Sequence, residues 1–165
     1  MRQGMMLLFC AALAACGSSS GNETFHANLT AAQEIPVPSV GNPPPSGTAV
    51  FTNNGDGTVS YTVTGANTTV TATGVTPANN YSGMHIHLAA TGLTAGVAVP
   101  LTTPTNGSTS FTVTGTFNQA TITQAGVTLD QVLTAMRTGG AYINVHTSLR
   151  NPPGEMRGQI QTGGL

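Results

Sequence analysis

Apolar and polar residues alternate one for one through most of the chain, and this period of two constrains the fold more than any other feature. In Thr24-Phe25-His26-Ala27-Asn28-Leu29 the apolar side chains all fall on one side of an extended backbone. Val59, Tyr61 and Val63 do the same within 58–65. Gly83-Met84-His85-Ile86-His87-Leu88 and Tyr142-Ile143-Asn144-Val145-His146-Thr147 repeat the pattern. Such segments bury one face and turn the other toward polar surroundings, as antiparallel strands do. Threonine supplies 28 of the 165 residues, and its β-branched side chain suits a pleated surface. Further strands are expected at 47–53, 68–75, 96–101, 108–117 and 155–161. Asn54-Gly55-Asp56-Gly57 separates two of these runs and supplies positive φ at little cost, a hairpin signal. That segment holds one carboxylate, whereas a calcium loop needs about six oxygens or more, so it reads as a turn. The run from Ile35 to Pro45 has too few amide donors for a central strand.

One stretch has a different period. Leu129, Val132, Leu133 and Met136 share a helical face, which predicts a helix over 128–138. Thr128 and Gln131 form a capping box, and Gly139-Gly140 ends the helix. Arg137 in the last turn suits the helix dipole. The expected fold is one all-β domain over 24–163: an antiparallel Greek-key β-sandwich of seven to nine strands with this one short helix. Its core is expected to hold Phe25, Leu29, Val59, Tyr61, Val63, Met84, Ile86, Leu88, Phe111, Val113, Ile143, Val145, Met156 and Ile160. The Tyr61 hydroxyl needs a partner there.

The N-terminus reads as an address. Arg2 precedes the apolar run Met5 to Leu13, and small residues lead to Cys16. Leu13-Ala14-Ala15-Cys16 resembles a bacterial lipobox, and a Gly/Ser linker follows it. The expectation is a lipoprotein signal peptide at 1–15, a lipidated Cys16 with a flexible linker over 16–23, and a membrane partner engaged through that lipid. This places the protein in the cell envelope and, if the host is Gram-negative, at the outer membrane or periplasmic face. Two acyl chains anchor stably where one holds only marginally. Cys10 leaves with the signal and Cys16 is consumed, so no disulfide is expected.

Charge is scarce: four arginines, no lysine and five acids, or 5% of the chain, against roughly a quarter in ordinary domains. Without a basic patch to neutralise phosphates, a nucleic-acid partner is excluded. The sequence also offers no thiol beyond Cys16 and no serine within a nucleophile motif, so the reading leans away from an enzyme.

The histidines carry the chemistry. With Met84, Ile86 and Leu88 inward, His85 and His87 share the opposite face of their strand, about 7 Å apart at the backbone. With Ile143 and Val145 inward, His146 faces outward beside Tyr142 and Asn144. If the two strands are neighbours, three imidazoles meet outside the sheet, a set suited to copper, with zinc second. The opposing expectation is that they are polar surface residues of a binding module. Either the Pro-rich 33–45 segment or the 148–154 corner is expected to roof that face. Glu155 and Arg157, alternating with Met156 and Ile160, are expected to form a polar pair beside His146. His26, with no partner by spacing, reads as a surface residue.

Together these segments resemble the CHRD domain, the module described in the developmental regulator chordin and found in bacterial envelope proteins. The resemblance rests on Leu29-Thr30-Ala31-Ala32-Gln33-Glu34-Ile35-Pro36, Gly47-Thr48-Ala49, His85-Ile86-His87, the segment Gly140 to Thr147, and Asn151-Pro152-Pro153-Gly154-Glu155-Met156-Arg157-Gly158-Gln159-Ile160. It implies a non-catalytic binding or structural module for an unknown protein or envelope ligand. His85-x-His87, Val145-His146 and the terminal Arg157-Gly158-Gln159-Ile160 also look like the copper strands of copper/zinc superoxide dismutase. The expected sandwich is superoxide-dismutase-like or immunoglobulin-like, and the second resemblance implies His85, His87 and His146 as copper ligands. No histidine lies between His87 and His146, so it does not extend to the zinc site.

Overall fold

The computed structural model describes residues 22–164. The expected signal peptide and Cys16 lie outside the described residues. Among the described residues nine strands form: β1 (Glu23–Thr30), β2 (Ser46–Asn53), β3 (Thr58–Ala66), β4 (Tyr81–His87), β5 (Val97–Pro100), β6 (Phe111–Asn118), β7 (Tyr142–Thr147), β8 (Met156–Gln159) and β9 (Gln161–Thr162). Among the same residues one helix of more than a single turn, α1 (Leu129–Arg137), interrupts them. Every strand pair is antiparallel.

The strands follow one continuous path, β5-β4-β7-β8-β1-β2-β3-β6, with β9 beside β1. β1, β2 and β3 form a meander, and β8 returns from the end of the chain to lie against β1, a Greek-key arrangement. The path curls until its inward faces meet around one core, so the fold is an all-β, nearly closed sandwich. Gly158 permits the β8–β1 junction: a Cβ there would overlap the Asn28 carbonyl oxygen. Glycine is the residue that allows two backbones so close.

Period two decides which side chains enter. Phe25, Leu29, Val59, Tyr61, Val63, Met84, Ile86, Ile143, Val145, Met156 and Ile160 are buried, while Leu88, Phe111 and Val113 pack partly buried at the margin. Tyr61 satisfies its hydroxyl by donating to Thr102 Oγ1 and accepting from the Thr102 amide, each at 3.0 Å. Helix α1 has the expected Thr128/Gln131 capping box and buries Val132, Leu133 and Met136 against the sheets. Its Arg137 also pairs with Glu23, an exposed contact that contributes little.

Two expectations need correction. The 68–75 segment is not a strand; Ala72 makes an isolated bridge to Gly107 and nothing more. Asn67, at φ 58°, ends β3, and the amide of Thr69 donates to a carboxylate instead of a ladder. That carboxylate belongs to Glu155, and here the expected Glu155–Arg157 pair also fails. Glu155 is fully buried and accepts from Thr69 N, Thr69 Oγ1, Thr147 Oγ1 and Asn151 Nδ2. Glu155 immediately precedes β8, and its donors sit on the segment after β3, the end of β7 and the corner between β7 and β8, so Arg157 is not among its partners.

Glu155→Ala leaves four donors, two of them fully buried, without their acceptor. Removing an acceptor from even one buried donor costs roughly 1–3 kcal/mol. The variant is expected to lose about 3 kcal/mol or more in denaturant unfolding, and Glu155→Gln less. A loss within experimental error would mean that water replaces the carboxylate.

Candidate metal centre

Strands β4 and β7 are direct neighbours, with His85 opposite Asn144, His87 opposite Tyr142, and Gly83 opposite His146. Alternation places Met84, Ile86, Ile143 and Val145 in the core and the three histidines together on the other face. Ring centroids lie 5.1 Å apart for His85–His146, 5.9 Å for His85–His87 and 6.3 Å for His87–His146. One ring nitrogen from each comes within 4.8 Å of the others. Three nitrogens on an ion at 2.0–2.1 Å sit roughly 3.5 Å apart, so small side-chain rotations close the set. Gly83 makes room for it: a Cβ at that position would overlap the His85 ring.

Hydrogen bonds orient two of the rings. His87 Nδ1 lies 3.0 Å from the Ala95 carbonyl and His146 Nδ1 lies 2.8 Å from the Pro152 carbonyl. A carbonyl only accepts, so each Nδ1 carries the proton and each Nε2 keeps its lone pair. Those two Nε2 atoms, with His85 Nδ1, are buried without any hydrogen-bond partner. A ring N–H tied to a carbonyl and a bare opposite nitrogen is the usual outer support of a metal-ligating histidine.

The electrostatics keep the rings neutral. Burial first, then His146 and His87, pushes His85 down to about 4. Burial also lowers His87 and His146, against the upward pull of the carbonyls they bond. The 148–154 corner does roof this face, through Pro152. The loop after β4 roofs it too, through Ala95, a contact that spacing gave no means to find. Only the Glu34 end of the 33–45 segment joins in, and it is buried.

Around the trio lies a buried polar layer that extends beyond the histidines. Tyr142 stacks on His87 with centroids 4.7 Å apart, and its ring also carries the Arg157 guanidinium at 3.4 Å. Its hydroxyl accepts from the Ala95 amide. Burial pushes Glu34 up to about 8, opposed by the nearby Arg157 charge. His26 is not a free surface residue: it is half-buried, and its Nδ1 is enclosed without a partner. It lines a cavity of about 140 Å³ with Asn28, Gln33, Gln159 and Gln161. The return of β9 beside β1, opposite His26 itself, encloses it.

An antiparallel sandwich with an imidazole cluster outside its β4–β7 pair defines the class of this protein as an all-β domain with a candidate metal centre. The chain matches the CHRD domain family over residues 25–160 and belongs to it. No curated protein and no solved structure matches it.

In metal-free protein the low His85 pKa makes stability depend on pH. The unfolded imidazole takes a proton near pH 6.5 and the folded one only near 4. Stability is therefore full above about pH 6.5 and is lost as pH falls toward 4. Unfolding of wild type and His85→Gln at pH 7.5 and 4.5 should show a smaller drop in the variant. Equal drops would assign the acid sensitivity elsewhere.

Proposed function

We propose that this CHRD-domain chain is a lipid-anchored envelope protein whose domain is a non-catalytic binding module, with a copper ion as its ligand on His85, His87 and His146. One observation carries the reading: three imidazoles outside the sheet bring one ring nitrogen each within 4.8 Å of the others, every ring has a buried nitrogen without a partner, and two have their opposite nitrogens tied to carbonyls. Neutral imidazoles are ligands as they stand, and little proton release is needed at neutral pH. An all-imidazole set takes copper more tightly than zinc, following the general affinity order of divalent ions. Three protein ligands leave one coordination position open. Support for the anchor comes from Leu13-Ala14-Ala15-Cys16 behind its apolar run.

Purified full-length protein stripped with chelator is expected to take up one equivalent of Cu(II) at pH 7.5, with nitrogen hyperfine structure in its paramagnetic resonance spectrum. His85→Ala and His146→Ala should each weaken binding by more than the roughly 10–100-fold that follows loss of an outer-shell partner. Both variants should keep the wild-type circular dichroism, because neither ring belongs to the apolar core. Wild-type protein that stays metal-free in excess copper would sink the proposal.

The anchor is tested separately. In a bacterial host, radiolabelled palmitate should appear on the wild type and be absent from Cys16→Ser, which should accumulate unprocessed. Label on the mutant, or a mature chain starting elsewhere than Cys16, refutes lipidation.

A further inference from the structure

Arg157 poses a problem that the metal reading leaves unsolved. Its side chain is 3% exposed, and Nη2 is enclosed with no hydrogen-bond partner. Among the described residues the one ion pair joins Arg137 to Glu23, so no carboxylate neutralises Arg157 at contact distance. The Tyr142 ring beneath it offsets part of the cost. A buried cation without a counter-ion is nonetheless among the most expensive things a fold can contain.

Two further polar atoms are buried and unpartnered in the same region, Glu34 Oε1 and Asn144 Oδ1. Asn144 is the direct cross-strand partner of Arg157. Glu34 is near enough to feel the charge of Arg157 and the amide of Asn144. Its carboxyl is seated against Gly154, where any Cβ would overlap it, so it is fixed in place. A cleft of about 300 Å³ reaches Glu34 and Arg157 from outside, lined also by Gln33, Ile35, Thr91 and Gly92; Asn144 lies behind it as the cross-strand partner of Arg157.

These groups describe the complement of their ligand. It must carry negative charge for Arg157, accept from a guanidinium N–H, exchange a hydrogen bond with the Glu34 carboxyl, and donate an O–H to the Asn144 amide oxygen, which only accepts. We propose that Arg157, Glu34 and Asn144 form a binding site for a small monovalent oxyanion that keeps an O–H, of the bicarbonate class. Glu34 is not itself the missing anion. It stands apart from the guanidinium, and burial keeps it largely protonated near neutral pH, where it donates to a bound oxyanion. The inference is independent of the metal reading, since none of its three residues is one of the three histidines.

The test uses metal-free, full-length protein at constant ionic strength. Sodium bicarbonate and sodium formate are titrated against sodium chloride while the Arg157 Nε–H resonance is followed. A saturable shift with bicarbonate is expected, a weaker response to formate, which has no O–H for the Asn144 oxygen, and none to chloride. Arg157→Gln should weaken the response at least tenfold. Asn144→Asp should do the same while staying folded, because a carboxylate opposite Arg157 takes the oxyanion's place. A shift that does not saturate, an equal response to chloride, or a folded Asn144→Asp with unchanged affinity overturns the site and leaves the cleft to water. Because copper is absent throughout, failure here says nothing against the histidine centre, and failure of copper binding says nothing against this site.

Discussion

The Glu155 carboxylate holds the site together from behind. Its four donors come from the segment after β3, the end of β7 and the corner that follows, three pieces with no common ladder. Asn79 ties the same region to the corner by accepting from the amides of Leu149 and Arg150. The corner then presents the Pro152 carbonyl to His146 Nδ1. A buried anion thus fixes a loop, the loop fixes a ring tautomer, and the tautomer leaves a lone pair facing two other imidazoles. Charge-assisted hydrogen bonds are strong enough to pin irregular backbone that no sheet supports.

Much of this was legible in the sequence because period two is a geometric law and not a statistical one. Once Met84, Ile86, Ile143 and Val145 are inward, His85, His87 and His146 have no choice of face. The core of the β1–β3 meander, the turn at 54–57 and the capped helix followed from equally local rules. What failed was long-range. Thr68-Thr69-Val70-Thr71 has strand composition, yet Thr69 gives its amide to a residue 86 positions away. No window of sequence contains that competition. Glu155 and Arg157 alternate like polar-face residues, but one is held by donors from three other segments and the other lies along Tyr142. Their chemistry was visible, whereas their environments were set by loops. The Glu34 segment entered only as a family motif, with no local signal that its carboxyl would be buried.

The two faces of the β4–β7–β8 layer show what the loops accomplish. The inner face is ordinary aliphatic packing. The outer face would be a solvated polar surface in a bare sandwich, but the 31–35, 89–96 and 148–154 segments cover it, and Asn144, Arg157 and Gln159 become buried. Gln159 answers by donating to the carbonyls of Ala89, Gly139 and Ala141, so its amide group stitches the cover to the sheet. Covering a polar face lowers its effective dielectric, which strengthens every interaction that is made there and penalises every one that is not.

That penalty distinguishes the polar groups that serve the fold from those that the fold does not pair. The chain has only nine formal charges, yet Glu34, Glu155 and Arg157 are all buried. Glu155 is saturated with donors and therefore structural. Gln159, though polar and buried, is likewise consumed by its three carbonyls. In contrast, the imidazole nitrogens, the Arg157 Nη2, the Glu34 Oε1 and the Asn144 Oδ1 lie in the same covered layer without a hydrogen-bond partner in the protein. Native folds leave few such atoms, and here they fall into two neighbouring sets of opposite preference. One set is a lone-pair cluster that attracts a cation, and the other is built around a buried positive charge that attracts an anion. The two N–H groups of Gln159 reach three carbonyls of the cover, whereas these atoms find no partner within the protein, and that contrast is the ground on which the copper and oxyanion proposals rest.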